Sequence, residues 1–295
     1  MQDEVGVLEK SRGVGLGLVQ PGWLPAIWIG SLLLVGFGPT LLKMGGTWFN
    51  DSLNMEHGPL VAPVAAYMVW QKWDKLKRIP QSPTMWGLVL VFWGVLQSVV
   101  SKATQQLWGS EMGFLICLVG CILTLYGFQM VREIAYPLVL LLIMIAPPAY
   151  IYERLTLQLQ LLASRLAEVF LEFFGYSVLR EGNILELVGE RLAVAEACSG
   201  IRSLMALLFM CATYCYFWVS SNRIRGLLLV AVIPIAIICN SGRIVLTGIV
   251  GQYNRELAHG MLHATFGYIS LILGAVLVIA LHRGIVIFER RYRHA

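Results

Sequence analysis

Long apolar runs fill most of the chain, and polar residues gather in the breaks between them. A membrane-spanning helix needs about 20 apolar residues, fewer where it tilts or has anchoring flanks. Eight runs meet that pattern, at about 23–42, 58–71, 84–100, 112–130, 134–150, 199–219, 226–250 and 264–282. The second is short and carries Pro59 and Pro63. The first begins only at Trp23, and no small-residue cleavage site follows it, so a removed signal peptide is not expected. The pattern predicts an all-α polytopic membrane protein of about eight transmembrane helices, in one integral-membrane domain over 1–295.

One stretch breaks the pattern. Over about 151–198, Leu155, Leu159, Leu162, Leu166, Val169 and Phe173 recur at helical spacing, with Gln158, Ser164, Arg165, Glu168 and Glu172 elsewhere on the wheel. That amphipathic pattern predicts a helix lying in the headgroup plane with its apolar side down, ended by Gly175. Ile184–Val188 and Arg191–Ala195 then read as a short β-hairpin around Gly189-Glu190, leading straight to Cys198.

Charge sets the expected orientation. With the N-terminus inside, the inner segments carry 13 Lys and Arg and the outer loops seven. Four of those seven lie in the long outer segment, which weighs little in the positive-inside rule. The 1–22 tail and the basic 283–295 tail are therefore both expected in the cytoplasm.

Composition narrows the class further. The chain of 295 residues is 58% hydrophobic and 13% charged, where a soluble chain carries about 25% charge. Its net charge of +5 reflects loop placement and not a phosphate-binding stripe, so no nucleic-acid partner is expected. Cys117, Cys121, Cys211, Cys215 and Cys239 lie inside apolar runs and are expected to pack as small hydrophobes. Neither a metal nor a cofactor is expected.

Cys198 alone sits at an aqueous boundary, at the outer start of the sixth run. The positive end of a following helix favours thiolate over thiol, and Ser199 is placed to cap that helix. Arg243 in the seventh run and His263 at the start of the eighth fall at a similar depth. By helical rise Arg243 lies about 10 Å below the outer end of its run. A thiolate, an acid–base imidazole and an oxyanion-holding guanidinium make up a cysteine nucleophile site. Plainer roles compete: Arg243 could pair with Glu196 or cap carbonyls, His263 could be structural, and His259 stands one turn away. Arg202, one turn into the sixth run, suits either a substrate carboxylate or snorkelling.

Ala197-Cys198-Ser199-Gly200-Ile201-Arg202-Ser203, Asn240-Ser241-Gly242-Arg243-Ile244, and His263 followed by Gly267 resemble the exosortase branch of the exosortase/archaeosortase family. His57-Gly58-Pro59-Leu60-Val61 and Pro147-Pro148 extend the likeness, which covers about 48–280. The resemblance implies a membrane cysteine transpeptidase acting at the outer leaflet of a bacterial inner membrane. Its substrates would be membrane-anchored proteins ending in a short Pro-Glu-Pro-like motif, an apolar helix and a basic tail. It implies Cys198 as nucleophile, with Arg243 and His263 as its partners. Glu196, Ser199, Arg202, Asn240 and His57 are candidate substrate-binding or supporting residues. Two other readings stay open at this point: a transporter or assembly component of an exopolysaccharide export system, and a purely hydrolytic membrane peptidase.

Overall fold

The computed structural model describes residues 23–49, 55–188, 190–194, 200–254 and 261–293. Among these, six helices are long and apolar enough to cross a membrane: Ile27–Trp48, Trp86–Ala103, Leu107–Tyr126, Ile201–Trp218, Asn222–Tyr253 and Thr265–Arg291. A bent pair, Ala135–Met144 with Ala149–Phe173, makes a seventh if counted as one crossing. The chain is an all-α polytopic membrane protein.

The expected eighth crossing is the run after His57. Helix α2 (Gly58–Gln71) has 14 residues, about 21 Å by helical rise, against a hydrocarbon layer of about 30 Å. It follows α1 (Trp23–Trp48) and runs into the four-residue α3 (Trp73–Leu76). Pro59 sits in its first turn, where no N–H is needed.

Helices α4 (Trp86–Ala103) and α5 (Leu107–Tyr126) form a tight antiparallel hairpin, because glycines face each other across it. A Cβ on Gly94 would lie 2.7 Å from the Gly113 carbonyl, and one on Gly113 would lie 2.6 Å from that of Gly94. In lipid the hydrophobic effect does not drive helices together, so close backbone approach at small residues supplies the packing. Helix α5 then stops at Gly127, with φ +85°. A Cβ there would collide with the Ser82 carbonyl, so the stop requires glycine. The apolar run continues to 130, but the helix does not.

The fifth run is broken rather than straight. After α6 (Phe128–Glu133) and α7 (Ala135–Leu140), the chain tightens into a 3-10 turn at Leu141–Met144. It passes Pro147 and Pro148 and sets off as α8 (Ala149–Phe173), with an 80° bend between the two stretches. Proline lacks an N–H and bars the preceding residue from helical geometry, which accounts for the break. Two carbonyls freed at the turn find donors: Trp48 Nε1 donates to Met144 at 3.0 Å and His57 Nε2 to Ile143 at 3.1 Å.

Helix α8 buries Tyr152, Thr156, Gln160, Ala163, Ser164, Ala167 and Leu171 against the protein. Leu155, Leu162, Val169 and Phe173 remain exposed on its outer side. The face turned to the fold is thus built largely from small and polar residues, with Tyr152 and Leu171, while Leu155 and Leu162 point away and Leu159 and Leu166 stand half-buried between. Where two strands were expected, three form: β1 (Val178–Glu181), β2 (Ile184–Leu187) and β3 (Glu190–Ala193), an antiparallel meander in that order. Leu185, Leu187, Leu192 and Val194 pack with Ala163, Ala167 and Leu171 of α8. The same cluster includes Ile244 and Val245 of α10 (Asn222–Tyr253).

Helix α10 has 32 residues, about 48 Å by helical rise, so it exceeds the hydrocarbon layer by several turns. Its C-terminal part carries the β-meander. Alongside run α9 (Ile201–Trp218) and α11 (Met261–Arg293). Leu207, Cys211, Cys215, Leu228, Val232, Ala236 and Val278 form the core of this three-helix group.

Candidate active site

Helix α10 holds the described part of the site, and two of its residues organise it. Asn240 is 1% exposed and Arg243 is 7% exposed; they stand three residues apart and so share a helix face. Helix α10 runs on to Tyr253, ten residues past Arg243, so the arginine lies about 15 Å from the helix end and not the expected 10 Å. The difference arises because hydropathy marks where apolar sequence ends, whereas the helix continues three residues further, to Tyr253.

Asn240 meets the segment that carries the candidate nucleophile. Gly200 precedes the first residue of α9 with φ +79° and ψ −5°, a left-handed conformation natural to glycine. A Cβ on Gly200 would lie 2.9 Å from Asn240 Nδ2 and 3.0 Å from its Cγ. Leu159 and Ala163 of α8 close over this contact, leaving a gap of only about 10 Å³ among Gly200, Leu204 and Asn240. The chain is therefore fixed in position two residues after Cys198.

Arg243 meets the segment that carries the candidate histidine. A Cβ on Gly267 of α11 would lie 3.4 Å from the guanidinium carbon and 3.5 Å from Nη2. An alanine there would sit in ordinary van der Waals contact with the guanidinium, so the two helices pack closely at this point. His263 lies one turn earlier in the same helix, and residues i and i+4 share a face. Cys198, Glu196, Ser199 and His259 lie outside the described residues, and of His263 only the helical backbone position is described. One turn of α10 thus touches the chain beside Cys198 and the helix of His263.

Arg202 pairs with Glu56 at 2.8 Å, both at least partly exposed. This ion pair ties the first turn of α9 to the residue before His57. Hydropathy and motif reading missed Glu56; its position among polar residues ahead of a helix was the available signal. His57 itself is 6% exposed and donates to Ile143, with Phe209 beside its ring. Burial pushes its imidazole below the ordinary value. It therefore stays neutral near pH 7 and braces the broken helix.

Two larger cavities among the described residues lie away from these side chains. One of about 670 Å³ is lined by Thr40, Lys43, Lys102 and Ser110, and another of about 470 Å³ by Trp93, Gln97 and Trp108. Among the described residues no three His, Cys, Asp or Glu side chains gather as a metal site.

A family model described as transmembrane exosortase (Exosortase_EpsH) matches residues 48–280. No curated protein and no solved structure matches the chain.

Proposed function

The chain belongs to the transmembrane exosortase family, which supports a membrane transpeptidase-type function, and on that premise we propose a cysteine transpeptidase that cleaves C-terminal sorting signals. The substrate is a membrane-anchored protein whose own apolar helix presents the scissile peptide at the outer leaflet. Sharing a membrane confines enzyme and substrate to two dimensions and raises their effective concentration.

The reaction divides into two steps. Cys198 thiolate attacks the scissile carbonyl carbon, and the carbonyl oxygen becomes an oxyanion held by Arg243. The C–N bond breaks as His263 protonates the departing amine, which leaves a thioester on Cys198. His263 then takes a proton from an incoming amine, which attacks the thioester, forms the new amide and restores the thiolate. Water in place of the amine gives hydrolysis.

The observation that carries this reading is the reach of one turn of α10. Asn240 packs on Gly200, two residues from Cys198, while Arg243 packs on Gly267, one turn from His263. A transporter reading has less support, because Arg243 stands towards the end of α10 that bears the meander, and midplane charge marks transporter sites. We place the protein in a bacterial inner membrane, with both termini cytoplasmic and the site outside.

The test uses a tailed substrate co-expressed with the enzyme, read as full-length against shortened protein on a gel. Cys198→Ala abolishes shortening with the enzyme still in the membrane. Shortening at the wild-type level by Cys198→Ala removes cysteine catalysis.

A further inference from the structure

A pocket of about 310 Å³ opens at the other end of α2 from His57, far from the residues assigned to catalysis. Val69, Leu76, Ile122, Met130 and Ile134 give it an apolar interior. Its wall is built by a specific fold of the chain. Gly127 lets the backbone turn with φ +85°, the Ser82 N–H donates to the Tyr126 carbonyl at 3.3 Å, and the 79–82 loop is thereby held against the end of α5. Trp73 and Tyr126 border the opening, as aromatic residues do at the headgroup level of membranes.

The rim is cationic. Lys77 lines the opening, its ammonium 5.3 Å from the centre of the Trp73 ring, and the exposed Arg78 follows it. Lys72 and Lys75 lie close by, but Glu133 already engages them: Lys75 Nζ is 2.7 Å from its carboxylate and Lys72 Nζ donates to its carbonyl at 2.8 Å. Asp74 is the one acidic side chain of α3. Counting Lys72, Lys75, Lys77, Arg78 and Arg132 against Asp74 and Glu133 leaves three positive charges (five minus two) around the opening. Among the described residues neither Lys77 nor Arg78 has an ion-pair partner.

We propose that this pocket seats one anionic phospholipid, with an acyl chain in the apolar slot and the headgroup phosphate at Lys77 and Arg78. Basic pockets between membrane helices favour anionic headgroups, each lysine or arginine near the surface contributing about fivefold in affinity. The apolar slot explains why the ligand is a lipid and not a soluble anion. The lipid joins α2 and α3 to α5 and α6, so it braces the half of the bundle that does not carry the catalytic residues.

The full-length protein in neutral detergent, probed with phosphatidylglycerol and with phosphatidylcholine, tests the assignment by native mass spectrometry and thermal unfolding. One phosphatidylglycerol binds per chain, at least tenfold tighter than phosphatidylcholine, and raises the unfolding temperature. Lys77→Gln with Arg78→Gln weakens phosphatidylglycerol binding by more than tenfold and leaves phosphatidylcholine unchanged. Ile122→Trp or Met130→Trp fills the slot and removes the single tight site, with all charges kept; having two such variants guards against one that fails to fold. Equal binding of both lipids overturns the proposal, as does tight phosphatidylglycerol binding to both slot-filled variants. A thermal shift of the same size from glycerol 3-phosphate identifies a soluble anion as the ligand and also overturns it.

Discussion

At the scale of single residues, Arg243 is a demanding side chain to place. It is 7% exposed on a membrane-crossing helix, where a guanidinium is costly to place and usually functional. Gly267 of α11 packs against its guanidinium. If Arg243 holds the oxyanion, Arg243→Lys keeps the charge but loses the planar fork of donors. Turnover should fall by about 10²–10³, the usual consequence of losing one such donor. Uncleaved substrate should still co-purify with the variant, since capture is made along the anchored helix. Normal turnover by Arg243→Lys, with lowered protein level in Arg243→Ala, would make the residue a structural partner instead. Cys198, Arg243 and His263 were legible as candidates because unusual polar residues stand out in apolar sequence. Glu56 and Trp48 were not, because their partners, Arg202 and the Met144 carbonyl, are far away in sequence.

At the scale of elements, the start of α9 bears on the presentation of Cys198, the proposed nucleophile. Gly200 needs both a left-handed backbone and a bare Cα against Asn240. Gly200→Ala adds about 1–2 kcal/mol of backbone strain and a clash with Asn240, so processing should drop at least tenfold. Adding Asn240→Ser removes the clash but not the strain, and should recover part of the loss in the same gel assay. Wild-type processing by Gly200→Ala alone would show that this contact does not set the cysteine's position. Helix positions were legible from apolar runs, but their ends were not. The stop of α5 at Gly127 depends on Ser82, and the bend before α8 depends on Pro147 and Pro148 together with Trp48 and His57. Hydropathy averages over a window and sees neither. The third strand also escaped, because Val178–Glu181 is short and its pairing with Ile184–Leu187 is a tertiary choice.

At the scale of the whole molecule, one end of α10 carries the β-meander and the site residues, while the basic loops and the lipid pocket gather at the opposite end of α2. In the orientation proposed from the lysine and arginine count, the basic side faces the cytoplasm. An impermeant thiol reagent on intact spheroplasts should therefore label Cys198 and not a cysteine introduced at Ser221, in a background lacking the other five cysteines. Labelling at residue 221 alone would invert the protein and leave its chemistry in the wrong compartment. The amphipathic period of α8 was legible, but which face met the protein was not: the buried side is Thr156, Gln160, Ala163 and Ser164. In a membrane protein the leucine face is as content in lipid as in a core, so periodicity alone leaves the direction open.

The proposed reaction passes through a thioester at Cys198, and that intermediate can be captured. Purified enzyme mixed with a tailed substrate, stopped in acid within one turnover and digested, should yield the Cys198 peptide bearing the acyl portion of the substrate, released by hydroxylamine. The same experiment with Arg243→Lys should show much less of this adduct. Substrate cleavage with the acyl group found on another residue, or continuing in Cys198→Ala, would rule out cysteine catalysis at this position.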